Sequence, residues 1–97
     1  MKQYRQGDIY IQEIHDIPVG VKKASDGIIL RGESSGHAHR IIGGELLKKG
    51  EAMFLNVLKK AQIVHEEHKT IDLPHGKYGV VRQREYLSKD MTKVVVD

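Results

Sequence analysis

A chain of 97 residues with 39% hydrophobic and 30% charged side chains has room for one core, and this composition excludes a disordered tail. No stretch approaches the roughly 20 consecutive apolar residues a helix needs to cross a bilayer; with no cysteine, any metal must be held by nitrogen and oxygen atoms. The formal charge of +3 favours polyanions only mildly.

The opening, MKQYRQGDIYIQ, turns polar at once and shows no apolar signal core, so a cytoplasmic location is expected. After Gly7, GDIYIQEI alternates, with Ile9 and Ile11 on one face and Tyr10, Gln12 and Ile14 on the other, the pattern of a strand. Pro18 and Gly20 break it. A turn at SDG (residues 25–27) leads into a second strand, IILRGE. SSG then turns the chain into a third, HAHRII, and Gly43 and Gly44 are expected to form a tight turn. ELLKKGE carries the chain on to Gly50. TIDLPHG and KYGVVRQREYL continue the β pattern, and TKVVVD closes the chain with a β-branched strand.

Residues 51–68 admit two readings. Phe54, Leu58, Ala61, His65 and His68 fall on one helical stripe. The alternative is a strand over 53–58, a Lys-Lys turn, and a strand over 62–65. The glycine-rich, strand-rich surroundings favour the second. The three Lys-Lys pairs (Lys22 and Lys23, Lys48 and Lys49, Lys59 and Lys60) read as turns between strands. The expected architecture is therefore all-β: a single small domain over residues 1–97, a barrel or sandwich of about six to eight short strands. With one phenylalanine and no tryptophan, its core must be aliphatic. So small a core would gain from a homodimer partner or a bound metal.

Four histidines carry the chemistry. In a strand, residues i and i+2 share a face, so His37 and His39 present neighbouring imidazoles. His65 and His68 form a second pair, in HEEH. Histidine with a carboxylate is the usual donor set where thiolates are absent. The expected metal ligands are His37, His39, His65 and His68, with Glu67 or Glu45 as an oxygen donor and zinc as the leading divalent metal. His15 and His75 read as surface or turn residues.

The stretch GHAHRIIGGE resembles part of the cupin metal motif, which would assign His37, His39 and Glu45 as ligands within a small β-barrel. GHAHR, HEEH, LPHGKY and VVRQREY together resemble a group of small uncharacterised bacterial and phage proteins; that resemblance implies no particular activity.

VVRQREY is the other unusual stretch. Extended, it puts Arg82, Arg84 and Tyr86 on one face, a plausible clamp for phosphate oxygens, which Arg40 beside the H-x-H could extend. Three readings follow. The first is a divalent-metal protein that could hydrolyse an anionic substrate if one coordination position stays open. The second is a metal-free RNA- or nucleotide-processing protein, with histidines as acid and base and arginines on phosphate. The third is a non-enzymatic interaction module that binds a partner through a strand edge.

Overall fold

The computed structural model describes residues 2–32 and 36–82. Eight strands are present: β1 (Gln3–Gln6), β2 (Ile9–Ile14), β3 (Lys22–Lys23), β4 (Ile28–Arg31), β5 (Ala38–Ile42), β6 (Glu45–Lys49), β7 (Ala52–Val64) and β8 (Ile71–Arg82). No helix occurs among the described residues. Every pairing is antiparallel. The sheet runs β1-β2-β8-β7-β5-β4, with β6 also on β7 and β3 on β6. The expected all-β class is what forms.

The long strand β7 organises the rest. One edge pairs with β8 along most of its length. The other edge carries β6 beside residues 52–56 and β5 beside residues 62–64. Met53, Leu55, Val57, Ala61 and Ile63 all point inward at period two and are buried. Between Val57 and Lys60 the register with β8 shifts by a residue. Lys59, which shares the inward parity, is exposed there, because a bulge bends the strand and releases that side chain.

This bend explains two departures from the sequence reading. Lys59 and Lys60 do not make a turn; they lie inside β7 at the irregularity, so β7 is one strand and not two. Pro74 pairs with Lys60 at the same place. Its missing N–H falls where the ladder is already disrupted, so LPHG continues as strand and His75 is a β8 residue, not a turn residue. The other Lys-Lys pairs also lie in strands, in β3 and at the end of β6.

Gly43 and Gly44 do not close a hairpin, because β5 and β6 pair with β7 and not with each other. They form the corner at which the chain passes from one half of β7 to the other. A Cβ on Gly43 would lie 3.0 Å from the Lys60 carbonyl oxygen, and one on Gly44 2.8 Å from Ile41 Cδ1. With φ at +88° and the Lys60 carbonyl this near, Gly43 has to be glycine, whereas a Cβ on Gly44 would only push the end of the Ile41 side chain. The strand expected at TKVVVD lies outside the described residues.

The core is aliphatic, as expected: Ile9, Ile11, Leu55, Val57, Ile63 and Leu73 are each at most 1% exposed. Tyr78 is the aromatic exception. Its hydroxyl donates to the Pro74 carbonyl at 2.7 Å, and burial raises its pKa to about 12. At one rim of this core three segments meet: the β1–β2 turn, the start of β5, and the stretch leaving β7.

Candidate metal centre

The rim is built by one strand register. β5 and β7 pair Arg40 with Val64 and Ile41 with Ile63. Continued one residue at a time beyond β7, that register sets His39 opposite His65, Ala38 opposite Glu66 and His37 opposite Glu67. The side chains agree with it. The ring centroids of His39 and His65 are 4.3 Å apart. The Ala38 N–H donates to Glu66 Oε1 at 2.9 Å, and His37 Nδ1 lies 3.2 Å from Glu67 Oε2. HAHR and HEEH are thus two halves of one antiparallel structure.

All four histidines enter a single cluster with His65 at its centre. Its ring centroid is 4.6 Å from that of His68 and 5.8 Å from that of His37. His39 and His68 stack at 5.8 Å with their planes 11° apart. A pocket of about 250 Å³ opens here, lined by Asp8, Leu30, Arg31, Gly32, His37, His39, His65, Glu67 and His68.

His39 is the anchored member, 3% exposed. Its Nδ1 lies 2.8 Å from Gln6 Oε1 and its Nε2 2.9 Å from Asp8 Oδ1. Gln6, itself 3% exposed, cannot turn its amide around: its Nε2 donates to the carbonyls of Ile63 and Lys69, at 3.0 and 2.9 Å. The Gln6 oxygen therefore faces His39, and Nδ1 must be the nitrogen that carries the proton. Burial, reinforced by His65 and His68, holds the His39 pKa below the ordinary imidazole value, with the Asp8 hydrogen bond opposing it. With Nδ1–H donated to Gln6, the other ring nitrogen, Nε2, is directed at the Asp8 carboxylate at hydrogen-bond distance.

Gln6 and Asp8 escaped the sequence reading because neither stands near a histidine in the chain. Their one local signal is the glycine between them. Gly7 has φ +58°, and a Cβ there would sit 2.5 Å from His68 Nε2. The turn that presents Asp8 thus also leaves the space His68 occupies. Gly7→Ala is expected to displace the His68 ring and to cost about 1 kcal/mol or more in backbone strain. Side-chain NMR of His68, with a thermal melt, checks this; an unmoved His68 resonance would refute the contact.

Arg40 and Glu66 have a different task. Arg40 Nη1 meets Glu66 Oε2 at 2.9 Å, and with the Ala38 N–H this clamps the segment after β7 onto β5. Arg40 is therefore tied to a carboxylate, and it is not among the residues that line the pocket. The Ala38 N–H, and then Arg40, hold the Glu66 carboxyl down to about 2 from an ordinary 4.5. A depressed carboxylate stabilises the fold above its unfolded-state pKa, and that contribution fades as pH falls from 4.5 through about 2. Glu66→Gln should remove this acid-sensitive component from a stability-versus-pH series. Equal slopes in the two proteins would reject the clamp.

The remaining expected site residues lie elsewhere. Glu45 accepts from Asn56 Nδ2 at 3.2 Å and meets Lys23 at 3.4 Å. It does not line the pocket, so the cupin-type set of His37, His39 and Glu45 is not assembled. Arg82 stands 3.9 Å from Glu51 and does not line the pocket either. Arg84 and Tyr86 lie outside the described residues. His15 and His75 are exposed and take no part in the pocket.

As the side chains stand, no three histidine, aspartate or glutamate groups among the described residues converge on a point where an ion could sit. The reason is visible in the hydrogen bonds. His39 Nε2 is closed by Asp8, and His65 Nδ1 accepts the Glu67 backbone N–H at 3.0 Å.

A family model described as "Domain of unknown function (DUF8820)" matches residues 5–83. The chain belongs to the DUF8820 family. Comparison with curated proteins and with solved structures found no match. The DUF8820 match spans Gln6, Asp8 and all four clustered histidines, whereas Arg84 and Tyr86 fall beyond it.

Proposed function

We propose that this DUF8820 protein binds one divalent transition metal at the histidine cluster, through His39, His65, His68 and Asp8. The observation that carries the reading is the fixed Gln6 amide, which holds the His39 ring by Nδ1 and directs Nε2 at the Asp8 carboxylate, 2.9 Å away and beside the His65 and His68 rings. Anchoring of one ring nitrogen, so that the other is presented, is the habitual support of a metal-ligating histidine. The His37–Glu67 contact repeats that pattern on the outer side of the cluster.

Ring spacing supports the same set. Three imidazoles on one tetrahedral zinc, with Zn–N near 2.0–2.1 Å, have ring centroids about 5 Å apart. The separations among His39, His65 and His68 are 4.3, 4.6 and 5.8 Å. Loading the site requires two local changes: the metal replaces the contact between His39 and Asp8, and His65 releases the Glu67 N–H by rotating. Asp8 is exposed and His65 partly so, which leaves both side chains room to move. Three imidazoles and a carboxylate, without thiolate, favour zinc. Asp8 is the ligand most readily displaced, since its side chain is 62% exposed. Its departure would leave three histidines and an open position for water or an anionic ligand, the arrangement of hydrolytic zinc sites.

The test is a competitive zinc titration of untagged protein against a chromophoric chelator, followed by a thermal melt. One equivalent should bind, and free zinc 100-fold above the dissociation constant should stabilise the fold by about 2.7 kcal/mol. Failure to compete with the chelator, together with an unchanged melt, would overturn the reading.

A further inference from the structure

We infer that the end of the β3–β6 ribbon docks on an anionic membrane surface, with Val19 entering the lipid and Lys22, Lys48 and Lys49 meeting the headgroups. β3 and β6 pair Lys22 with Lys48 and Lys23 with Leu47. Followed outward from those rungs, one chain reaches the turn at Val19 and Gly20, and the other the turn at Gly50 and Glu51. The two chains touch at this tip: a Cβ on Gly20 would lie 3.6 Å from Lys49 Cε and 3.7 Å from its Nζ. Lys49 pairs with Ala52, where β7 begins, whereas His65 and His68 follow its end. The tip is therefore a separate site.

Three observations set it apart. Val19 is 88% exposed, more than any other large hydrophobic side chain among the described residues, and Pro18 beside it is exposed too. Lys22 and Lys48 stand directly opposite each other, and like charges so placed weaken a sheet. Neither they nor Lys49 makes an ion pair with a described residue, because Glu45 is taken by Lys23 and Asn56, and Glu51 turns to Arg82.

Lysines also guard exposed sheet edges against other chains. That role does not account for Lys48 and Lys49, since both edges of β6 are already paired, with β3 and β7. Uncompensated ammoniums around an apolar tip fit a partner that is anionic outside and apolar beneath. A lipid leaflet offers both layers. A nucleic acid would use the lysines and leave Val19 in water. Residues 17–23 and 47–51 also hold no aromatic ring on which a base could stack.

The test is co-sedimentation of the full chain, at fixed ionic strength, with vesicles of phosphatidylcholine and phosphatidylserine in a roughly 2:1 ratio and with phosphatidylcholine alone. Wild type is compared with Val19→Ser, with Lys22→Gln/Lys48→Gln, and with Lys59→Gln/Lys60→Gln, which removes the same charge from the bend in β7. Wild type should sediment only with the mixed vesicles. Loss of Lys22 and Lys48 should weaken binding about 25-fold, at about fivefold per lysine. Val19→Ser should weaken it about fivefold, and the β7 variant should stay close to wild type. Without lipid, Lys22→Gln/Lys48→Gln should melt at or above the wild-type temperature, because a like-charge pair has gone. No sedimentation with the mixed vesicles overturns the site. So does equal weakening by the two double variants, which means adsorption by net charge, or binding that Val19→Ser leaves unchanged. A labelled single-stranded oligonucleotide is titrated in parallel. If it binds through Lys22 and Lys48 while vesicles do not, the tip is a nucleic-acid site and the membrane assignment fails.

Discussion

Replacing His39 with alanine is expected to lower zinc affinity by more than about 100-fold, beyond the 10- to 100-fold typical of outer-shell changes. His39 is the one cluster member whose ring is buried and held at both nitrogens, so no neighbour can take its place without rebuilding the rim. Without metal, the same change leaves the Gln6 oxygen without its hydrogen-bond donor. It should cost about 1–3 kcal/mol for that unsatisfied buried group, in addition to the lost packing. His75→Ala supplies the contrast, because His75 is exposed on β8 away from the pocket; its zinc affinity should equal wild type. Chelator competition on both variants checks the pair, and equal affinities would remove His39 from the site.

Gln6→Leu carries the second large effect. The leucine keeps much of the volume but removes the amide's hydrogen bonds to the Ile63 and Lys69 carbonyls and leaves buried His39 Nδ1 without its acceptor. The unsatisfied buried ring nitrogen costs about 1–3 kcal/mol, and the two lost amide hydrogen bonds add about 1 kcal/mol each. Zinc affinity should also fall about 10- to 100-fold, because the ring is no longer held with Nε2 presented. Leu55→Ala separates the two consequences. Leu55 is fully buried in the core, and its truncation costs a comparable 2–5 kcal/mol or so. At a temperature where both variants are folded, Leu55→Ala should bind zinc normally and Gln6→Leu should not. Parallel losses in both would show that Gln6 acts only through stability.

These residues also show what the sequence could reveal. The alternation of Ile9 and Ile11, and of Met53, Leu55 and Val57, is a local property of the chain, so strand identity and the inward face were readable. Pairing HAHR with HEEH was readable in principle as well: written antiparallel, they bring histidine to histidine and Arg40 within reach of Glu66. The bend in β7 was not readable, because Lys59 and Lys60 look like a turn unless the partner strand is known. It is Pro74 on β8 that reveals the irregularity. Gln6 and Asp8 were hidden for a related reason. Gln6 acts on His39 across 33 residues of sequence, a contact created only when the β1–β2 turn reaches the end of β7.

The most direct measurement is a long-range proton–nitrogen NMR spectrum of the histidine rings in untagged protein, before and after one equivalent of zinc. Metal-free, His39 should show its proton on Nδ1. With zinc, that proton should persist, while Nε2 of His39 and one nitrogen each of His65 and His68 take on the shifts of metal-bound imidazole. If the His39 nitrogens stay where they were in the metal-free spectrum, the cluster is not a metal site anchored on His39.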